Sequence, residues 1–139
     1  MNWYLNVIRN YVNFNGRARR KEYWMFVLLN VIIMIALEVP AIFVFQDFAH
    51  NENRTFAISF FAVLFLYALF LILPTLAVSV RRMHDIGKSG AWYFIQFIPL
   101  VGPIWFLVLL VTEGQQGPNR YGPDPKRSKS FDPAGAEQY

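Results

Sequence analysis

The ten residues Arg81-Arg82-Met83-His84-Asp85-Ile86-Gly87-Lys88-Ser89-Gly90 hold the most varied reactive chemistry in this sequence. His84 beside Asp85 is a candidate proton-transfer pair, because imidazole titrates near neutrality and a carboxylate can orient it. Arg81 and Arg82 are candidates for binding an anion or lipid, with Lys88 and Ser89 close by. A second concentration, Gly16 to Trp24, repeats the basic chemistry with Arg17, Arg19 and Arg20 and adds Glu22; here adjacent Arg forks can grip a phosphate headgroup in two-pronged fashion. A third places Asn119, Arg120 and Asp124 among Gly and Pro residues that fix a bent backbone. Glu38 stands apart, an acid inside an apolar run, where insertion costs roughly 2.5–3.5 kcal/mol and ionisable groups are functional candidates.

Each of these residues also has a structural reading. Arg17 to Lys21 can simply set orientation, with Tyr23 and Trp24 anchoring the interface. Asp85 can pair with an arginine of the first cluster, His84 can cap a helix end, and Gly87 and Gly90 allow a tight turn. Several chemistries are excluded outright. There is no cysteine, so thiol catalysis, disulfides and thiolate metal sites are ruled out. One His and one acid fall short of a zinc ligand set. No Gly-rich phosphate loop follows a strand, and the spaced aspartates that membrane phosphatidyl transfer needs for metal are missing. No cofactor or metal is expected.

The elements that must position these clusters are apolar. Hydrophobic residues make up 55% of the 139-residue chain and charged residues 16%, against roughly 25% charged in soluble domains. The charges avoid three blocks, about 23–45, 56–80 and 91–112, each long enough to reach across a hydrocarbon core of about 30 Å. Residues 1–14 are read instead as an amphipathic helix lying in the headgroup plane, with Asn2, Asn6, Arg9, Asn10 and Asn13 opposite an aromatic-rich face. The first block begins too late, and is too long, for a cleavable secretory signal, so it reads as a signal anchor.

Lys and Arg resist translocation. Five precede the first block, Arg54 alone follows it, and Arg81, Arg82 and Lys88 follow the second. This pattern predicts a cytoplasmic N-terminus, an external first loop carrying His50 and Glu52, and a cytoplasmic second loop. The third block has two readings. As one Pro-kinked span it puts the basic tail outside. As a re-entrant hairpin turning at Pro99-Leu100-Val101-Gly102-Pro103 it returns the tail to the cytoplasm, where the three polar clusters can meet. Residues 1–126 form one membrane domain on this reading, and 127–139 a disordered tail.

Three motifs frame the apolar blocks in order: FNGRARRKEYW at 14–24, RRMHDIGKSGAW at 81–92 and EGQQGPNRYGPDPK at 113–126. Together with the MxWYLxVxxNYV start and the IPxxG break, they resemble the bacterial inner-membrane family catalogued as domain of unknown function 805. Gln115 departs from the threonine expected in the family's EGTxG. The resemblance implies a small inner-membrane protein and assigns it no activity.

The expectation is an all-α polytopic membrane protein with three membrane-embedded segments, the third broken by Pro and Gly. Its function is expected to be non-enzymatic: binding an anionic lipid headgroup, a small anion or a protein partner on the cytoplasmic Arg/His/Asp surface, with homo-oligomers allowed. No nucleic-acid partner is expected. The competing expectations are an oligomeric channel or transporter lined by Glu38 and the broken segment, and a headgroup enzyme using His84 and Asp85.

Overall fold

A computed structural model describes residues 2–50 and 54–126. Glu52, the side chain of His50 and residues 127–139, expected as external loop and disordered tail, lie outside the described residues. Four α-helices, α1 (Asn2–Arg9), α2 (Arg20–His50), α3 (Arg54–Asp85) and α4 (Val101–Val111), account for most of the rest. A 3-10 helix, Gly90–Phe97, precedes α4. Among the described residues there is no strand, only an isolated bridge between Asn119 and Gly122.

Helix α1 ends sooner than the 1–14 read from sequence. The asparagines that gave the helical spacing turn their side chains onto the local chain: Asn10 Nδ2 donates to the Asn6 carbonyl (2.8 Å), and Asn13 Oδ1 accepts from the Asn15 amide (3.1 Å). Short amide side chains that bond locally offer the backbone an alternative to the helical ladder. The helix packs on α2, with Val7 fully buried and Tyr4 stacked on Phe26 at 5.6 Å.

The two long helices, α2 and α3, have 31 and 32 residues, or about 46–48 Å at 1.5 Å per residue. They run antiparallel, tied by Tyr67 donating to Asn30 (3.0 Å) and by Arg81 against Glu22 (3.4 Å). Each carries an internal proline, Pro40 or Pro74, which membrane helices accommodate through neighbouring groups. Their exposure is inverted relative to a water-soluble protein. Phe43 and Phe65 are 67% and 68% exposed, whereas Arg82 is 0% exposed. So much contiguous apolar surface is incompatible with water as the surrounding solvent.

The third apolar block is a hairpin. Its arms, Gly90–Phe97 and α4, rise about 16 Å each on 3-10 and α-helical geometry, half of a 30 Å core. Gly102 makes the close packing of the arms possible. A Cβ there would collide with the Ile95 carbonyl oxygen and sit 3.2 Å from the Gln96 backbone. Tyr93 meets Phe106 edge-on across the arms at 5.7 Å. At the tip Leu100 has a positive φ (φ 65°, ψ −56°) at the centre of a γ-turn closed by the Val101 amide donating to the Pro99 carbonyl at 2.8 Å, a rare and strained turn. Both ends of the hairpin return to the end of the molecule where α2 begins and α3 ends. The hairpin packs on α3, which stands between it and α2.

Candidate functional site

The hairpin's return puts the C-terminal end of α4 beside the arginines of the first two motifs. A helix ends with unpaired carbonyls and a partial negative charge, and guanidiniums meet both. Arg82 Nε donates to the Leu110 carbonyl (3.2 Å) and its Nη2 to that of Thr112, while Arg20 Nη1 takes the Val111 carbonyl between them (3.0 Å). The third donor of Arg82, Nη1, bonds Asp85 Oδ2 at 2.6 Å. Every terminal nitrogen of this buried side chain is therefore occupied by the protein itself.

Asp85 is the hub. Its Oδ1 accepts from Arg17 Nε at 3.0 Å, its Oδ2 from Arg82, and its backbone carbonyl from the Gln115 amide at 2.9 Å. Arg17 goes on to the tail, donating from Nη1 to the Gly117 carbonyl (2.6 Å) and from Nη2 to that of Gln115. The tail approaches this closely because residue 114 is glycine: any Cβ there would collide with the Asp85 carboxylate. Burial lifts the Asp85 pKa above that of an exposed aspartate, against the opposing pull of Arg82 and Arg17.

Arg81 and Arg82, both candidates for anion binding, point to different places. Arg81 reaches Glu22, which also accepts from Asn6 of α1 (2.9 Å). His84 and Asp85 likewise part company. His84 Nδ1 lies 3.2 Å from the Gly16 carbonyl, which can only accept, so this nitrogen carries the proton. The imidazole stacks on Tyr121 at 3.8 Å and 5°, and Asn119 donates to the His84 carbonyl at 2.9 Å. His84 thus caps no helix end; it docks the tail. Burial lowers its pKa, against the Gly16 hydrogen bond and with help from the Arg120 charge.

The remaining candidates are dispersed around this core. Arg120 Nη2 reaches the Gly87 carbonyl (3.3 Å), and its guanidinium covers the Tyr121 ring at 4.7 Å. Lys88 sits over Trp92 at 4.1 Å, and Ser89 precedes the 3-10 helix without a side-chain cap bond. Asp124 accepts from the Lys126 and Gly117 amides (2.8 and 3.0 Å), which hold its carboxyl below the usual aspartate value. Glu38 is exposed on α2; since α3 separates α2 from the hairpin, one chain does not bring Glu38 and the broken segment together.

Beside Asp85 opens a cavity of about 390 Å³. Its walls carry five cations, Arg17, Arg19, Arg20, Lys21 and Lys126, against the carboxylates of Asp85 and Asp124. Arg19 Nη2 is cut off from solvent and has no hydrogen-bond partner. Of the sequence candidates, Arg17, Arg19, Arg20, Asp85 and Asp124 come together here. Lys21, Lys126, Gly114, Gln115 and Pro125 complete the walls and were missed as site residues, although all lie inside the first and third motifs. Among the described residues, no three His, Asp or Glu side chains gather where a metal ion could sit.

Comparisons with known proteins place these motifs in context. A family model described as protein of unknown function (DUF805) matches residues 11–123. Two Escherichia coli K12 proteins are similar over 91% of this chain. Inner membrane protein YhaI is 44% identical, with 97% of its own length covered, and inner membrane protein YhaH is 40% identical, with 98% covered. The uncharacterized protein YiiR of the same organism is 28% identical over 84% of this chain and 88% of its own. No solved structure matches. A family match across most of the chain, inner-membrane relatives above 40% identity and the inverted burial of charged and apolar residues agree: the chain is a membrane protein belonging to the DUF805 family.

Proposed function

We propose that this is a non-enzymatic protein of the bacterial inner membrane that binds anions at its cytoplasmic face. In this reading α2 and α3 span the bilayer, the hairpin re-enters from the cytoplasmic side, and α1 lies at the headgroups. The N-terminal segment, the second loop and the docked tail then share the cytoplasm, in keeping with the distribution of Lys and Arg. One domain covers residues 1–126, because the tail is bound into the same polar cluster as the N-terminal loop.

The observation that carries the reading is the cavity with five cations and two carboxylates in its walls. Its size falls in the range of small-ligand sites, about 300–1,000 Å³. Among the described residues a single chain supplies every wall, so the site needs no second copy. A proton-transfer role finds no support in the geometry: both Asp85 oxygens are held by guanidiniums, and His84 faces Gly16 and Tyr121 instead of Asp85. Arg17, Arg82 and Asp85 act as scaffold, leaving Arg19 and Lys21, wall cations without an ion pair among the described residues, as the groups that meet the ligand.

The test is calorimetric titration of the detergent-purified chain with a short-chain anionic phospholipid and with a zwitterionic one. Saturable binding of the anionic lipid alone, weakened at least tenfold in Arg19→Ala/Lys21→Ala, is expected. Equal binding of the two lipids, or no change in the variant, would defeat the proposal.

A further inference from the structure

The cations of the cavity wall differ in whether a carboxylate meets them, and that difference says what the cavity takes. Arg17 at 3.0 Å shares the single charge of Asp85 with Arg82 at 2.6 Å, so this group keeps a net positive charge. Arg20 and Lys126 both contact the exposed Glu113, at 3.4 and 2.7 Å, and Asp124 is the second acid of the wall. Among the described residues Arg19 and Lys21 are the two cations of the wall with no ion pair. Lys21 approaches the Trp3 ring at 5.8 Å, a contact that leaves its charge unneutralised. Arg19 has one terminal nitrogen enclosed without a partner, as Arg81 has away from the cavity; its place in the wall without an ion pair is what offers its charge to a ligand.

Two further features point the same way. Arg19, Arg20 and Lys21 stand at the N-terminus of the 31-residue α2, whose first-turn amides and dipole favour negative charge. The only acid in that first turn, Glu22, is drawn away to Arg81 and Asn6. The cavity is also larger than one inorganic anion. Five non-hydrogen atoms at about 30 Å³ each fill about 150 Å³, so more than half of the roughly 390 Å³ is left for whatever carries the anion.

We infer that the cavity is a site for a phosphate monoester, a dianion matched by Arg19 and Lys21, with its organic group in the remaining space. This rests on the anion-binding reading above and narrows it. A phosphodiester headgroup brings one negative charge and leaves one of the two cations unmatched. A monoester, with a second ionisation near pH 6, brings close to two at neutral pH. The chemistry is the same whether the monoester is the headgroup of a lipid such as a phosphatidate or a soluble phosphorylated polyol.

The full chain in zwitterionic detergent is titrated at pH 8 with dihexanoyl phosphatidate, dihexanoyl phosphatidylglycerol and glycerol phosphate. The monoester lipid should bind at least tenfold tighter than the diester, and Arg19→Ala should remove most of that difference while Arg19→Lys keeps part of it. Unchanged thermal unfolding of both variants shows that the fold persists. Phosphatidate binding tenfold or more above glycerol phosphate identifies a lipid ligand; comparable binding of the two identifies a soluble one, and either supports the inference. Equal affinity for monoester and diester, both lowered by Arg19→Ala, overturns the inference while anion binding stands. Failure of all three to bind overturns both.

Discussion

Replacing Asp85 with asparagine keeps its shape and removes its charge, and the geometry says what that costs. Oδ1 and Oδ2 accept from different guanidiniums, Arg17 at 3.0 Å and Arg82 at 2.6 Å. An asparagine amide can accept on one side only, so its NH2 must face one of the two donors. Each ion pair contributes about 4 kcal/mol of Coulomb energy at a charge separation of about 4 Å and an effective dielectric of about 20. Desolvation already offsets part of this, and breaking a buried pair by removing one partner costs about 3–5 kcal/mol. Asp85→Asn should therefore lose about 3–5 kcal/mol in reversible unfolding of the detergent-solubilised chain. Cleavage by a protease after Glu113 should rise as the tail undocks. A double-mutant cycle with Arg17→Met should show coupling above about 1 kcal/mol. The pKa direction sharpens the test, since burial lifts the Asp85 carboxyl despite its two cations. Were it lifted far enough to be neutral at pH 7, the substitution would be nearly free. A loss below about 0.5 kcal/mol would thus refute the claim that an ionised Asp85 holds the cluster together.

Three further outcomes follow from the same geometry. Gly102→Ala should destabilise the hairpin by about 1–3 kcal/mol, because the added Cβ meets a backbone carbonyl that cannot swing aside; unchanged thermal unfolding would show that the arms are not in contact. Tail docking should weaken in acid. Since burial lowers the His84 pKa in the docked state, docking is fully stable above the ordinary value of about 6.5 and is lost as pH falls through that value and the lower docked one. The groups facing the ring are Tyr121 and Arg120 of the tail and the Gly16 carbonyl. Hydrogen exchange of amides 115–122, corrected for intrinsic rate, should show protection falling from pH 7.5 to 5.5, and His84→Gln should flatten the profile; protection that rises toward acid contradicts the sign. Finally, a compartment-sensitive reporter fused at the C-terminus should report cytoplasm, as one at the N-terminus should; opposite compartments would mean that the third block crosses.

The long helices are legible in the sequence because charge avoidance over twenty or more residues has few other causes. The hairpin is not. Its 22 residues, 91–112, equal one span in length, and neither apolar content nor Pro spacing separates a kinked helix from two half-depth arms. What separates them is tertiary: Gly102 against the Ile95 carbonyl, and Arg82 on the carbonyls that end α4. The first motif shows the same limit. Arg17, Arg19 and Arg20 look alike in a one-dimensional reading, yet they differ in role. Arg17 is locked to Asp85 and the tail, Arg20 divides itself between Val111 and Glu113, and Arg19 keeps an unbonded donor. Which of several neighbouring cations is free depends on where the acceptors of distant segments arrive, and local sequence does not carry that information.

Topology and site are one physical question in this protein. A hairpin whose arms rise about 16 Å each must be held at its base to stay folded back on itself. Here the hold is the set of carbonyls at Leu110, Val111 and Thr112, gripped by Arg82 and Arg20. Those bonds bring residue 113 onward to the side where α2 begins, and only then can Gln115 and Gly117 reach Arg17 and enclose the cavity. A chain whose third block crossed the membrane would leave Arg82 and Arg17 with Asp85 but without the carbonyls of Leu110, Thr112, Gln115 and Gly117. The buried guanidiniums that hold the base and the cavity that collects charge beside it are therefore consequences of the same reversal of the chain at Leu100.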